Sequence, residues 1–554
     1  MVYSMVKRIL VNPLVILSGV TLLCLVPFVN KAFHIDDTLF LAAAKHIQSH
    51  PTNFYGFNIN WYSYEMPMAK VTKNPPLTCY YIAMVAKLFG WSEVVLHIAF
   101  LVPALAVTLG SFYLAKQLCS HPVLAVMAGM LTPVFLVSST NVMCDTMMLA
   151  FWVWAVAGWV WGMDKNRWSG LLISTVLIAL CALTKYFGMS LILLLFVYSV
   201  VKKRKIGVWA LYLLVPIAIL ALYQWATFVL YGRGLLTDAA SYASKERQIL
   251  NPGAEFLWGG LIGLSFAGGG IITILFYAPL LWSRRILISG VILMVILIFS
   301  LALAGRIGHF SIRHDNIIRW DTIIQFSLMS LVGLGIILLA VVDLYKCRDC
   351  KSLLLFLWVL GTFFFTSFVN WSVNERSILP MAPAVGILLA RAIDKQSKTP
   401  HRRAGWRICW PLIPAAIIAM SVCWADYTLA GTAREAAKAI YRIYKDRPNV
   451  VWFQGHWGFQ YYMEANNAKP IDYKISKLKI GDIIVAPINN AYEILLREER
   501  MFIVQHLRFI PCRWLSTVNP PLGASFYSSA YWGPMPFAFG QTLAEDYCIC
   551  AVKK

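Results

Sequence analysis

Two adjacent carboxylates, Asp36-Asp37, follow the first apolar run of the chain, and a third, Asp145, stands at the start of another, Met143–Gly158. Ionised groups beside or inside such runs are costly unless they are solvated or used. A carboxylate at a membrane surface can act as a general base toward an acceptor hydroxyl or amine. The plainer reading makes the pair a cap for a helix expected over Thr38–Ile47, where Asp suits the positive end of the dipole, and gives Asp145 the same task. Either way, Asp36, Asp37 and Asp145 fall on one membrane face.

Cations fall on that face too. Lys185 sits in Thr184-Lys185-Tyr186-Phe187-Gly188. Arg306, Arg313, His314 and Arg319 crowd one loop, and Arg376 lies in Asn374-Glu375-Arg376-Ser377-Ile378-Leu379-Pro380. Basic residues concentrate on the cytoplasmic side of membrane proteins, so these need another reason. Contact with a lipid phosphate is one; snorkelling and headgroup anchoring are the bland alternatives. Asn74-Pro75-Pro76 precedes a helix-like stretch, where proline is ordinary. The histidines lack metal-site spacing, and Cys347-Arg-Asp-Cys350 lacks a second pair. There is no phosphate-cradling Gly-rich loop, dinucleotide fingerprint or nucleophile elbow.

The elements that must position these residues are membrane helices. The 554-residue chain is 59% hydrophobic and 13% charged, against about 45–50% and roughly 25% in soluble domains. Its runs are long enough to cross a bilayer, which takes about 20 apolar residues. We read about thirteen spans, near 9–29, 93–117, 121–138, 143–162, 169–187, 188–201, 206–231, 255–281, 286–304, 322–345, 352–370, 378–394 and 408–428. Lys7-Arg8, Lys116, Lys165/Arg167, Lys202–Lys205, Arg284-Arg285, Lys346/Arg348/Lys351 and Lys395–Arg407 then occupy every second connection. This explains the net charge of +22 without nucleic acid. It sets the N-terminus in the cytoplasm and the tail outside, provided that 169–187 and 188–201 are two spans.

On the outer face, Asn30–Ser92 contains helix-like Ile35–Ile47 and Leu77–Phe89, expected to lie in the interface plane. The first run has no cleavage-site pattern and reads as a retained span. After the last span the composition turns polar. Strand-like Val450–Gln454 and Ile480–Ala486 alternate with helix-like Trp457–Ala465 and Tyr492–Leu507. The expected architecture is a polytopic α-helical module, 1–428, with an extracytoplasmic α/β domain, 429–554. Cys512, Cys548 and Cys550 in that domain could pair if the compartment is oxidising.

In order and spacing these motifs resemble the GT-C superfamily of membrane glycosyltransferases. The bacterial branch related to protein O-mannosyltransferases and the lipid A aminoarabinose transferase is the most similar. The resemblance rests on His34-Ile35-Asp36-Asp37-Thr38-Leu39-Phe40, Lys73-Asn74-Pro75-Pro76-Leu77, Asp145, Thr184-Lys185-Tyr186-Phe187-Gly188 and Arg376-Ser377-Ile378-Leu379-Pro380. The tail beginning Val451-Trp452-Phe453-Gln454-Gly455-His456-Trp457 is similar to that of many bacterial members. The resemblance implies transfer of a sugar from a polyprenyl-phosphate donor to a lipid, glycan or protein acceptor on the periplasmic face of a bacterial inner membrane. Asp36 would be the catalytic carboxylate and Asp145 a second acidic residue of the cavity, with Asp37 beside them. Lys73, Asn74, Lys185, Arg306, Arg313, Arg319 and Arg376 are candidates for the donor phosphate. Many members have Asp-Glu where this chain has Asp36-Asp37, and the lipid A enzyme has Lys where this chain has Asn74. No cofactor is required by this chemistry, though a divalent metal could bind the acidic residues. Direct displacement would invert the anomeric centre. The rival reading is a multi-span secondary transporter.

Overall fold

The computed structural model describes residues 12–250, 256–314, 317–396, 408–448, 450–491 and 501–553. Lys7-Arg8, most of Lys395–Arg407 and the first part of Tyr492–Leu507 lie outside the described residues.

Each expected span coincides with a helix or a broken pair of helices. Among the described residues, eight helices are long and apolar enough to cross a membrane singly, and up to ten qualify if each bent pair is one span. The reading of thirteen therefore counted helices that length alone does not qualify. Pro13–Phe28 and Trp168–Thr184 are apolar but short, and Met381–Gln396 has 16 residues. Two of the expected spans are bent. Pro122–Met130 meets Pro133–Ser139 at 68°, and Phe256–Gly270 meets Thr273–Leu281 at 89°. The first bend falls at Thr132-Pro133, where proline cannot continue the helix and Thr132 caps the new one. Trp168–Thr184 and Ser190–Lys203 are separate helices joined through Lys185 and a short turn over Tyr186–Met189.

Burial sorts the helices. Cys144–Lys165 is the central one, with 72% of its apolar window buried; Arg284–Ala304, at a mean hydropathy of 3.0, has only 11% buried and turns its leucines and isoleucines outward. That is the surface a bilayer solvates. Inside, small residues let backbones approach. A side chain at Gly268 would lie 1.9 Å from the Met329 carbonyl oxygen, and one at Gly333 would lie 2.1 Å from that of Leu264. Such contacts pack membrane helices, because burying apolar surface from lipid gains nothing.

The two faces separate as the charge pattern requires. On one, Asp343 binds Arg391 at 3.0 Å and Lys395 at 2.7 Å, while Asp164 pairs with Lys202 and Lys351. On the other, Asn30–Ser92 and the tail pack together. Asp37–Ser49 and Leu77–Phe89 are helices, as expected for the interfacial segments. One helix runs unbroken from Leu412 to Tyr444, across the boundary expected at 429.

Beyond that helix stands a five-stranded sheet in the order Met501–Phe509, Glu545–Val552, Ile483–Pro487, Val451–Phe453, Lys469–Pro470. The first two junctions are antiparallel and the last two parallel. Met501–Phe509 is a strand where the sequence reading had a helix; its exposure alternates with a period of two from Val504 onward, and it pairs with Glu545–Val552 apart from a register shift between Ile503 and Gln505. Trp457–Ala465 is a helix as read. The rest of the tail, roughly 512–539, packs into the same apolar core as the membrane helices. The described cysteines are free thiols.

One buried ion pair fastens these parts. Lys31 and Asp426, both fully buried, meet at 2.5 Å. Asp426 also accepts from Thr517 Oγ1 at 2.7 Å and Tyr527 Oη at 2.9 Å, and Lys31 also donates to Asn141 Oδ1 at 2.6 Å. The pair thus ties the first loop, the last long helix and the tail. Removing one partner leaves an uncompensated buried charge, which typically costs about 3–5 kcal/mol. Asp426→Ala should therefore lower the thermal midpoint of the detergent-solubilised protein markedly, and an unchanged midpoint would show that the pair carries no such role.

Candidate functional site

Between the first loop, the membrane helices and the tail lies a cavity of about 710 Å³. It brings together Asp36, Lys73, Asn74, Asp145, Lys185 and Arg376, residues separated by up to 340 positions. The two carboxylates are each matched with a cation. Asp36 Oδ2 accepts from Arg376 Nη1 at 2.9 Å, and Asp145 Oδ1 accepts from Lys185 Nζ at 2.6 Å.

Local structure fixes each of them. Asp36 is at the N-cap position of Asp37–Ser49, yet its side chain caps nothing; it is turned to Arg376 and partly exposed to the cavity. Asp145 lies in the first turn of Cys144–Lys165, where a carboxylate suits the dipole. Lys185 ends Trp168–Thr184 in an extended conformation that interrupts the helix. Arg376 sits in a one-turn helix, Glu375–Ile378, which Asn374 caps and which the tail holds through Glu375 N–H donating to the Phe526 carbonyl at 3.0 Å.

Asp37 does something else. It is fully buried, and its two oxygens accept from the backbone N–H of His34 at 2.8 Å and Val142 at 2.9 Å. It does not cap its own helix. It pins the Asp36 turn to the segment that leads into Asp145. Burial pushes its carboxyl up to about 7, against the pull of those two N–H groups.

Lys73 lines the cavity with its amine on Asp238 at 2.7 Å and over the Tyr242 ring; burial lowers its pKa from the usual lysine value. The partner is on Leu235–Leu250, a helix of the second outer segment that covers one side of the cavity. Asn74 contributes cavity wall, and its carbonyl accepts from Tyr55 Oη.

Arg306, Arg313 and Arg319 are not in this cavity. Their loop folds into two short ribbons, Arg306–Ile307 with Phe310–Ser311 and Arg313–His314 with Ile317–Ile318. Arg313 donates to the Ala302 carbonyl, Arg319 is 3.6 Å from Asp321, and Arg306 lines a separate cavity of about 160 Å³. The ribbons spend the loop on pairing with itself rather than on reaching Asp36.

Arg247 was not singled out from the sequence, and it lines both cavities. Two of its nitrogens donate to the carbonyls of Asn370 and Ser367 at 2.8 Å. Among the described residues it has no carboxylate partner, unlike Lys73, Lys185 and Arg376. Its signal in the sequence was faint: one arginine on the outer side, in a mixed-charge helix. Ser367 and its neighbours form a single π-helical stretch, Phe365–Val369, at the cavity wall. Such stretches recur at functional sites.

Among the described residues, no group of three or more His, Cys, Asp and Glu side chains is placed to hold a metal ion. Asp36 and Asp145 each meet a side-chain cation, Arg376 and Lys185.

The fold is a bundle of membrane-length helices enclosing a cavity in which two carboxylates meet two cations. Residues 73–228 match the family described as dolichyl-phosphate-mannose-protein mannosyltransferase. Solved structures resemble most of the chain in fold. The apo oligosaccharyltransferase of Archaeoglobus fulgidus has 13% identity and a TM-score of 0.50, covering 83% of this chain and 64% of its own, so the chain spans just under two thirds of that enzyme. ArnT from Cupriavidus metallidurans, bound to undecaprenyl phosphate, has 14% identity and a TM-score of 0.46, with 89% and 96% covered. The arabinofuranosyltransferase AftD from Mycobacteria has 10% identity and a TM-score of 0.41, with 98% and 40% covered. No curated protein sequence matches. Nothing in the family match or the fold supports the transporter reading.

Proposed function

We propose that this protein transfers a sugar from a polyprenyl-phosphate donor to an acceptor on the periplasmic face of a bacterial inner membrane, with inversion at the anomeric carbon. The observation that carries this is one cavity holding a partly exposed carboxylate, Asp36, together with Arg376, Lys185 and Arg247. The acceptor hydroxyl gives its proton to Asp36 as its oxygen attacks the anomeric carbon. The bond from that carbon to the phosphate oxygen breaks, and the phosphate leaves with its charge met by cations. Lipid phosphate is a good leaving group, so no strong general acid is called for.

Arg376 links the two halves of the reaction. Paired with Asp36 at 2.9 Å, it occupies the carboxylate oxygen that would take the acceptor's proton. A donor phosphate entering the cavity competes for the same guanidinium, whose planar fork suits phosphate oxygens. Drawing Arg376 toward phosphate releases Asp36 for the acceptor, so the base is freed when the donor is in place. Lys185 stays with Asp145, and Arg247 adds charge that no described carboxylate neutralises.

The test is incubation of the purified protein with a radiolabelled polyprenyl-phosphate sugar and membrane extract. Label should move to an acceptor and leave free polyprenyl phosphate. Lipid-linked sugar that stays intact while solute crosses sealed vesicles would refute the proposal. The proposed orientation has its own check. A reporter active only in the cytoplasm, fused after Lys554, should be silent, and strong activity would reverse the assignment of faces.

A further inference from the structure

The cavity has a second wall that the reaction above does not use. Trp61 and Tyr62 from the first loop, Trp371 from the loop before Arg376, and Trp457, Tyr531 and Trp532 from the tail all line it. They are arranged as neighbours. The Trp457 and Trp532 rings lie 5.3 Å apart, and those of Trp371 and Tyr531 lie 5.8 Å apart. Another part of the lining differs in kind. Phe365, Phe368 and Val369 come from the membrane helices and lack polar atoms on their side chains.

Trp457 is held at a cost. Its φ is +61°, a left-handed conformation that bulky side chains avoid. Such strain persists only where the surroundings impose it, and it clusters at working sites. Here the surroundings are the catalytic turn. The Trp457 carbonyl accepts from Thr38 Oγ1 at 2.7 Å, two residues from Asp36. The next residue, Gly458, lies so near the Phe33 carbonyl oxygen that a Cβ would be 2.0 Å from it. The tail is thereby fixed against the turn that carries the base, with an indole presented to the same cavity.

Resting on the glycosyltransferase reading, we propose that this wall is the acceptor subsite and that the acceptor presents a sugar ring to it. An aromatic face attracts the partly positive C–H face of a pyranose, because the ring's negative quadrupole points outward. The six residues carry no formal charge, which suits a neutral ring better than a phosphate. They stand on the first loop, the loop before Arg376 and the tail, whereas Lys185 follows Trp168–Thr184 and Arg247 lies on Leu235–Leu250. The acceptor is then a glycan or glycolipid rather than a bare peptide.

Saturation-transfer NMR on the detergent-solubilised full chain tests this, with two probes: a soluble β-linked disaccharide and a hexapeptide rich in Ser and Thr. Ring C–H protons of the disaccharide should receive saturation from aromatic side chains, and the peptide should not. The affinity drawn from a titration should fall roughly 2- to 12-fold in Trp457→Ala, the size expected for one aromatic partner, and recover in Trp457→Phe. Should Trp457→Ala fail to fold, Tyr531→Ala at an exposed position serves in its place. Saturation of the peptide alone, or a disaccharide titration unmoved by these variants, would overturn the proposal. So would displacement of the disaccharide by polyprenyl phosphate, which would assign the wall to the donor sugar. A wild-type protein that binds the disaccharide but not polyprenyl phosphate would instead overturn the glycosyltransferase reading.

Discussion

Asp36→Asn should nearly abolish sugar transfer while leaving the protein folded in the membrane. The substitution keeps the size of the side chain and its contact with Arg376 but removes the proton acceptor. General-base catalysis typically contributes about 10²–10⁴-fold, so a loss of that size is expected in a transfer assay at matched expression. Asp37→Asn should behave differently. Asp37 accepts from two backbone N–H groups with two different oxygens, and an amide can accept with only one. The orphaned buried N–H costs about 1–3 kcal/mol. The expected signature is a lower thermal midpoint, with residual activity in the fraction that stays folded. An active Asp36→Asn beside a dead, fully stable Asp37→Asn would reverse the two roles. Full activity in both would remove the base from this motif altogether.

Arg376→Ala should lower kcat/KM for the lipid donor by about 10- to 150-fold, the equivalent of one charge-assisted bond worth roughly 1.5–3 kcal/mol. Its position between Asp36 and the cavity gives the loss a particular form. Donor KM should rise because a phosphate contact is gone, and kcat should fall because the charge on the departing phosphate is no longer met by this guanidinium. Arg247→Ala supplies the comparison. That arginine has no described carboxylate partner, so its removal should raise donor KM with a smaller effect on kcat. Steady-state kinetics over a donor concentration series separates the cases. An Arg376→Ala enzyme with unchanged donor dependence would assign the residue to headgroup anchoring.

The sequence by itself determined that the chain is a bundle of membrane helices. That property is additive: apolar runs and basic connections report it locally, residue by residue. Separate helices on either side of Lys185 were legible for the same reason, because the basic Lys202–Lys205 run after the second one favours two segments over one long helix. Asp36, Asp145, Lys185 and Arg376 could be named from type and position, since charge beside an apolar run is expensive. Their sharing of one cavity could only be expected from a common face.

Pairing was decided by the tertiary structure alone. Asp36 meets Arg376 across most of the chain, and no local pattern encodes that contact. The three arginines of the 306–319 loop look equivalent in sequence, but backbone pairing within the loop takes them away from the cavity. Arg247 looks unremarkable in a polar helix and becomes a candidate only when that helix covers the cavity. The same physics made the tail part of the site. Its strands and aromatic loops read as a separate soluble domain, because composition records solvent preference and not docking. A continuous helix from Leu412 to Tyr444 and the buried Lys31–Asp426 pair draw it onto the membrane module, where Trp457 and Tyr527 help to close the cavity around Asp36.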